Sequence, residues 1–176
     1  IDEAFLEFKG FDFFDLEGEV MRMKKQTQQW TGIPISIGIA PSKALAKIAN
    51  KIAKKFSSNT GGVYSINNEK KRVKALKWTK IGDVWGIGRQ HKKRLEYLGV
   101  ENAWQFTLLS EDWVKKHMSV VGVRIKRDLM GLPSIQLEEI QPQKKCIATT
   151  RSFEGTISNF SDCLLYTSDA ADEVAG

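Results

Sequence analysis

The stretch Ile33-Pro34-Ile35-Ser36-Ile37-Gly38-Ile39-Ala40-Pro41-Ser42 decides how the rest of the chain is read. Apolar residues alternate, which predicts a strand with Ile35, Ile37 and Ile39 on one face. Ser36, Gly38 and Ala40 share the other face, where small side chains let something approach closely. Two occupants fit that face: a tightly packed helix, or a substrate. Pro41-Ser42 then opens a helix running to about Phe56, because Leu45, Ile48, Ile52 and Phe56 recur at spacings of three and four. Lys47, Lys51, Lys54 and Lys55 lie off that stripe, a pattern that by itself describes a solvated helix surface.

Upstream of this core, Ile1-Asp2-Glu3-Ala4-Phe5-Leu6-Glu7-Phe8 has the aromatic, alternating chemistry of a strand. Helical spacing follows through Val20, Met23 and Trp30, and Thr31-Gly32 stops it. Downstream, Ser57-Ser58-Asn59-Thr60-Gly61-Gly62 reads as a linker. A short strand (63–66) and a basic helix (69–77) come next. Ile81-Gly82-Asp83-Val84-Trp85-Gly86-Ile87-Gly88-Arg89 leads into a helix with Leu95 and Leu98 inside and Gly99 at its end. Ser110 caps a further helix, residues 124–130 form another, and Gly131-Leu132-Pro133 breaks it. Residues 134–145 read as an extended linker and 146–153 as a strand. Strands and helices in this order predict an α+β fold with a small mixed sheet.

Composition narrows the function classes. The 176 residues include 27 Lys or Arg against 21 Asp or Glu, and 41% are hydrophobic, which excludes a disordered chain. No apolar run approaches the ~20 residues of a membrane helix, so no membrane role is expected. Cys146 and Cys163 lack metal-ligand spacing, which points to a reducing, cytoplasmic setting. The net charge of +6 is unevenly spread: residues 1–42 carry −3, 43–130 carry +13 and 131–176 carry −4. A basic middle of that size concentrates a polyanion such as nucleic acid.

Two motifs carry chemistry. Adjacent carboxylates at Asp2 and Glu3 can both reach Mg²⁺, a hard cation that takes oxygen ligands, although such pairs are also common on plain surfaces. Gly86-Ile87-Gly88 places two glycines around an aliphatic residue just before a helix. Backbone N–H groups there can hold a phosphate without reading sequence, and Arg89, Lys92, Lys93 and Arg94 add charge beside them. An ordinary helix-helix turn is the plainer alternative.

Taken in order, these elements resemble the Y-family, or translesion, DNA polymerases. The resemblance rests on Ile1-Asp-Glu-Ala-Phe5, on Ile35–Ala40 with Pro41-Ser-Lys-Ala-Leu-Ala-Lys-Ile-Ala-Asn-Lys-Ile-Ala-Lys54, on Asp83-Val-Trp-Gly-Ile-Gly-Arg89, and on Leu137-Glu-Glu139 through Thr150-Arg-Ser-Phe153. The Val-Trp-Gly-Ile-Gly and Arg-Ser-Phe variants are most similar to the UmuC branch, that of the DNA polymerase V catalytic subunit. The resemblance implies a partial polymerase palm over 1–61, a helical thumb with a helix-hairpin-helix over 62–133, a linker over 134–145 and the first little-finger strand over 146–162.

The same resemblance assigns roles. Asp2 and Glu3 become two of three carboxylates holding a pair of Mg²⁺ ions, and Lys54 contacts the incoming triphosphate. Gly86, Gly88, Arg89, Lys92 and Lys93 hold the duplex backbone, and Arg151 adds a phosphate contact. Lys92 departs from the motif, which holds a small residue there. Substrates are primer-template DNA and dNTPs, used to extend a primer past damaged bases in SOS mutagenesis, with UmuD-type and RecA-type partners. The family's first metal-binding Asp and its fingers lie upstream of the Asp-Glu motif, so this stretch alone is expected to be inactive. Residues 163–176 change composition abruptly and are expected to be an adaptor-derived scar. The rival reading is a non-catalytic DNA-backbone-binding module built on the hairpin.

Overall fold

The computed structural model describes residues 3–10 and 15–135. Asp2, Arg151, the strand expected at 146–153 and the proposed scar lie outside the described residues. Among those described, the elements run α1 (Leu16–Thr31), β1 (Ile37–Ile39), α2 (Lys43–Lys55), α3 (Ser57–Thr60), β2 (Val63–Ser65), α4 (Glu69–Trp78), a 3-10 turn (Ile81–Asp83), α5 (Arg89–Tyr97), α6 (Ala103–Leu108) and α7 (Glu111–Leu129).

β1 and β2 pair in parallel, Ile37 opposite Val63 and Ile39 opposite Ser65. Parallel neighbours need a long crossover, and α2 supplies it, giving a β-α-β unit. The mixed sheet expected from sequence is, among the described residues, a two-stranded parallel one. The linker reading of 57–62 is corrected by the same pairing. Ser57–Thr60 form a helical turn, and Gly61 and Gly62, both at positive φ, swing the chain directly into β2. The boundary expected after Gly61 therefore falls between two hydrogen-bonded strands. Ile37 N–H donates to the Gly62 carbonyl at 2.9 Å, and Ile66 N–H to that of Ile39 at 2.8 Å.

The small-residue face of β1 belongs to α2. A Cβ on Gly38 would lie 2.2 Å from the Asn50 backbone N and 2.3 Å from the Ala46 carbonyl oxygen, so only glycine lets the helix come so close. Ser36 Oγ donates to Asn50 Oδ1 at 2.7 Å beside it. Of the two occupants open from sequence, the packed helix is the one present.

α2 begins at Ser42, whose hydroxyl accepts from Leu45 N–H, and it buries Leu45, Ile48 and Ile52 as the spacing predicts. Phe56 does not join them. It ends the helix at φ −112° and is 40% exposed, its ring 5.8 Å from that of Trp78. One core runs from α2 through Leu76, Ile81, Leu95, Phe106, Val114 and Leu129. Leu98, expected inside with Leu95, lies past the last turn of α5 and is 49% exposed. Residues 3–9 form no strand with any of the other described residues.

α7 is bent. Ser119, at φ 61° and ψ −171°, interrupts it and separates the Ser110-capped half from the half expected around 124–130. The guanidinium of Arg127 reaches back to Glu111, with Nη2 to Oε2 at 2.8 Å and Nε to Oε1 at 3.0 Å. A straight helix would hold residues 16 apart at roughly 24 Å, so this contact requires the two halves to fold together. At the far end, Asp128 is fully buried and joins three segments. Its carboxylate accepts from Ala44 N–H at 3.3 Å and Ser134 N–H at 2.7 Å, while its carbonyl accepts from Ser42 Oγ at 2.6 Å. Arg72 adds a fourth link, donating from Nη1 to the Leu129 carbonyl at 2.8 Å.

Candidate nucleic-acid interface

Lysines at four-residue steps on α2 organise the region. Lys43, Lys47, Lys51 and Lys55 follow one another by single turns of the helix, and each meets a different partner. Lys47 pairs with Glu3. The Lys43 ammonium lies 5.6 Å from the Phe5 ring, and that ring is 5.7 Å from the ring of Trp85 in the glycine hairpin. Lys51 Nζ is 2.8 Å from Asp83 Oδ2, and Lys55 Nζ is 5.2 Å from the Trp78 ring and 5.9 Å from that of Phe56. The acidic segment and the hairpin are thus both seated on α2, which the reading of a merely solvated basic face did not foresee. Equal steps of four were the visible signal; which partners they would find was not.

Lys54 lies two turns beyond Lys47 on the same side of the helix, roughly 10 Å along the axis. It is exposed, and among the described residues no side-chain partner is recorded for it. Lys54 therefore springs from the same helix face as Lys47, the residue with which Glu3 pairs.

The hairpin has two unlike glycines. Gly86 is at φ 88°, and a Cβ there would lie 2.5 Å from Ile125 Cδ1, so glycine is required by both conformation and contact. Gly88 is the N-cap of α5 at φ −75°, and a Cβ there would meet nothing within 4 Å. No side chain caps the first turn of α5, and Gly86, Gly88 and Arg89 are exposed around it. Ile87 between the glycines is 7% exposed and anchors the loop to the core, as the motif predicts. Lys93 is exposed. Lys92 is differently placed: its stem covers Gly82, where a Cβ would lie 2.6 Å from Lys92 Cδ, and its ammonium is 3.7 Å from Glu96. Gly82 provides the room that the unusual Lys92 needs.

Metal-binding capacity within the described residues is limited. No cluster of three or more His, Cys, Asp or Glu side chains able to hold a metal occurs among them. Glu3 offers one carboxylate, already paired with an ammonium, whereas Mg²⁺ takes several oxygen ligands. These residues alone do not make a divalent-ion site. Nor is any helix among them long and apolar enough to cross a membrane.

Residues 1–51 match the family described as impB/mucB/samB. The chain is 33% identical over 181 residues to Protein UmuC of Salmonella typhimurium, covering 100% of this chain and 43% of that protein. It is 29% identical over 163 residues to Protein MucB of Escherichia coli, covering 92% and 39% respectively. Against DNA polymerase IV of Brucella melitensis it is 28% identical over 153 residues, covering 85% and 33%. These matches support a UmuC-type sequence of the Y-family. The chain spans less than half the length of the UmuC-type relatives it matches.

Proposed function

We propose that this chain is the palm-to-thumb portion of an error-prone DNA polymerase that extends primers past damaged template bases. The observation that carries the reading is the sharing of α2: Glu3 reaches it at Lys47, Lys54 follows on the same face, and the glycine hairpin is attached through the Lys51–Asp83 pair and through the Phe5 ring shared by Lys43 and Trp85. A nucleotidyl transferase needs carboxylates, a triphosphate contact and a duplex grip in fixed relation, and one rigid helix can supply that relation. Asp2 and Glu3 serve as two metal-binding carboxylates, with the third carboxylate and the Mg²⁺ pair belonging to the complete polymerase. Lys54 binds the triphosphate.

The helix-hairpin-helix reading accounts for the open side of Gly88 and the uncapped first turn of α5, which leave N–H groups facing outward for a DNA phosphate. Arg89 and Lys93 add charge there, and Arg151 adds a further phosphate contact. Lys92 contributes less, since its ammonium is shared with Glu96. UmuD-type and RecA-type partners, and a cytoplasmic location, come with the family.

The test is Asp2→Ala with Glu3→Ala in a chain extended to the length of the UmuC-type relatives. Loss of Mg²⁺-dependent synthesis with duplex binding retained is the expected result. If the extended parent makes no DNA yet binds duplex steeply with falling salt, the non-catalytic backbone-binding module replaces the polymerase.

A further inference from the structure

We propose that Lys51 is a positioning residue rather than a phosphate contact: by pairing with Asp83 it fixes the glycine hairpin in register with α2. This rests on the reading of the hairpin as a duplex-backbone grip. Asp83 closes the 3-10 turn that leads into the hairpin, and its carboxylate lies 2.8 Å from the Lys51 ammonium.

The inner side of the hairpin is set by the core, since Val84 and Ile87 are buried and Gly86 abuts Ile125. Its outer side meets α2 through side chains, with no backbone ladder among the described residues to locate it. Side chains do that instead: Lys43 and Trp85 share the Phe5 ring, and Lys51 takes Asp83. A shift by one helical turn would offer Asp83 another lysine of the row, so the register depends on those neighbours already being engaged. A move to Lys47 would put Asp83 beside the cation that Glu3 uses.

Charge gives the pair a second task. A carboxylate five residues before Gly88 repels any phosphate approaching the first turn of α5, and Lys51 cancels that field. A lysine so engaged is not available to neutralise DNA. The pair is about two-fifths exposed on both sides, so it contributes little to overall stability and its effect is local.

The experiment compares amide hydrogen exchange in the 176-residue chain for Lys51→Glu, Asp83→Lys and the double swap Lys51→Glu/Asp83→Lys. Each single change is expected to speed exchange at 84–88 by about two- to fivefold, leave α6 as it was, and be reversed by the swap. Unchanged exchange at 84–88, an equal rise throughout the chain, or a swap that restores nothing overturns the proposal. Asp83→Asn gives the same comparison if charge reversal unfolds the protein. A second measurement uses Lys51→Gln/Asp83→Asn, which removes the pair without changing the local net charge, and a primer-template duplex. The slope of log affinity against log salt should match the parent's; a slope smaller by about one makes Lys51 a phosphate contact and overturns the assignment. If the parent binds no duplex, the duplex-grip reading fails, and the exchange result still decides the register role.

Discussion

Ser42 and Asp128 are 86 residues apart in sequence, yet the Ser42 hydroxyl donates to the Asp128 carbonyl at 2.6 Å. The contact closes the end of α7 onto the start of α2. Because the Asp128 side chain also accepts from Ala44 and Ser134, one buried residue secures the helix carrying the lysine row and the chain leaving α7. Truncation would leave two buried N–H groups without acceptors. Asp128→Ala should lower unfolding free energy by about 2–4 kcal/mol in urea titration. A loss within experimental error would show that the junction does not depend on this carboxylate.

The two hairpin glycines should respond oppositely to alanine. Gly86→Ala meets both a positive φ and the Ile125 side chain, so a loss of about 1–3 kcal/mol is expected. Gly88→Ala enters open space at an ordinary φ and should leave the melting temperature unchanged. Its added methyl instead obstructs the approach of a DNA backbone, so duplex affinity should fall several-fold. Equal duplex affinity for Gly88→Ala and the parent would place the contact elsewhere.

Gly38→Ala tests the seat of α2. The new methyl would press on backbone atoms of Ala46 and Asn50, which cannot rotate away as a side chain can. Calorimetry should show destabilisation of about 1–3 kcal/mol or more. An unperturbed melting curve would mean that α2 does not approach β1 so closely.

The bend in α7 carries a pH signature. Hydrogen bonding to the Arg127 guanidinium holds the Glu111 carboxyl below its ordinary value, and the same contact raises Arg127. A depressed carboxylate contributes stability that is fully present above its unfolded-state value and is lost as pH falls through the folded-state value. Acidification through the carboxylate range should therefore weaken the clamp, and Glu111→Gln should flatten that part of the stability curve. Amide exchange around Ser119, followed with pH in both forms, measures it.

Local chemistry made much of the fold legible. Ser42, Gly32, Ser110 and the spacing of Leu45, Ile48 and Ile52 mark helix ends and faces through interactions within a few residues, and the structure has them where they were expected. What escaped depends on partners far away in sequence. Ser57–Gly62 has the composition of a linker, but its role is set by the pairing of β2 with β1. Residues 3–9 have strand chemistry without a ladder among the described residues. Leu98 shares a helical face with Leu95, yet Gly99 ends α5 before that face reaches Leu98. In the candidate site, the glycines at 86 and 88 announced a turn, and the aliphatic residue between them is buried as read. The lysine row announced only charge, because a lysine's length lets it meet carboxylates and aromatic rings that spacing alone cannot name.

The β-α-β unit has a kinetic consequence. Two strands of three residues offer too few backbone bonds to repay the entropy of closing the intervening loop, so they are unable to meet first. α2 can form early, from local contacts and its own cap, and its Ala46–Asn50 surface then gives β1 something to dock on before β2 arrives. Substitutions in the middle of α2 should slow refolding, whereas those in β2 should mainly hasten unfolding.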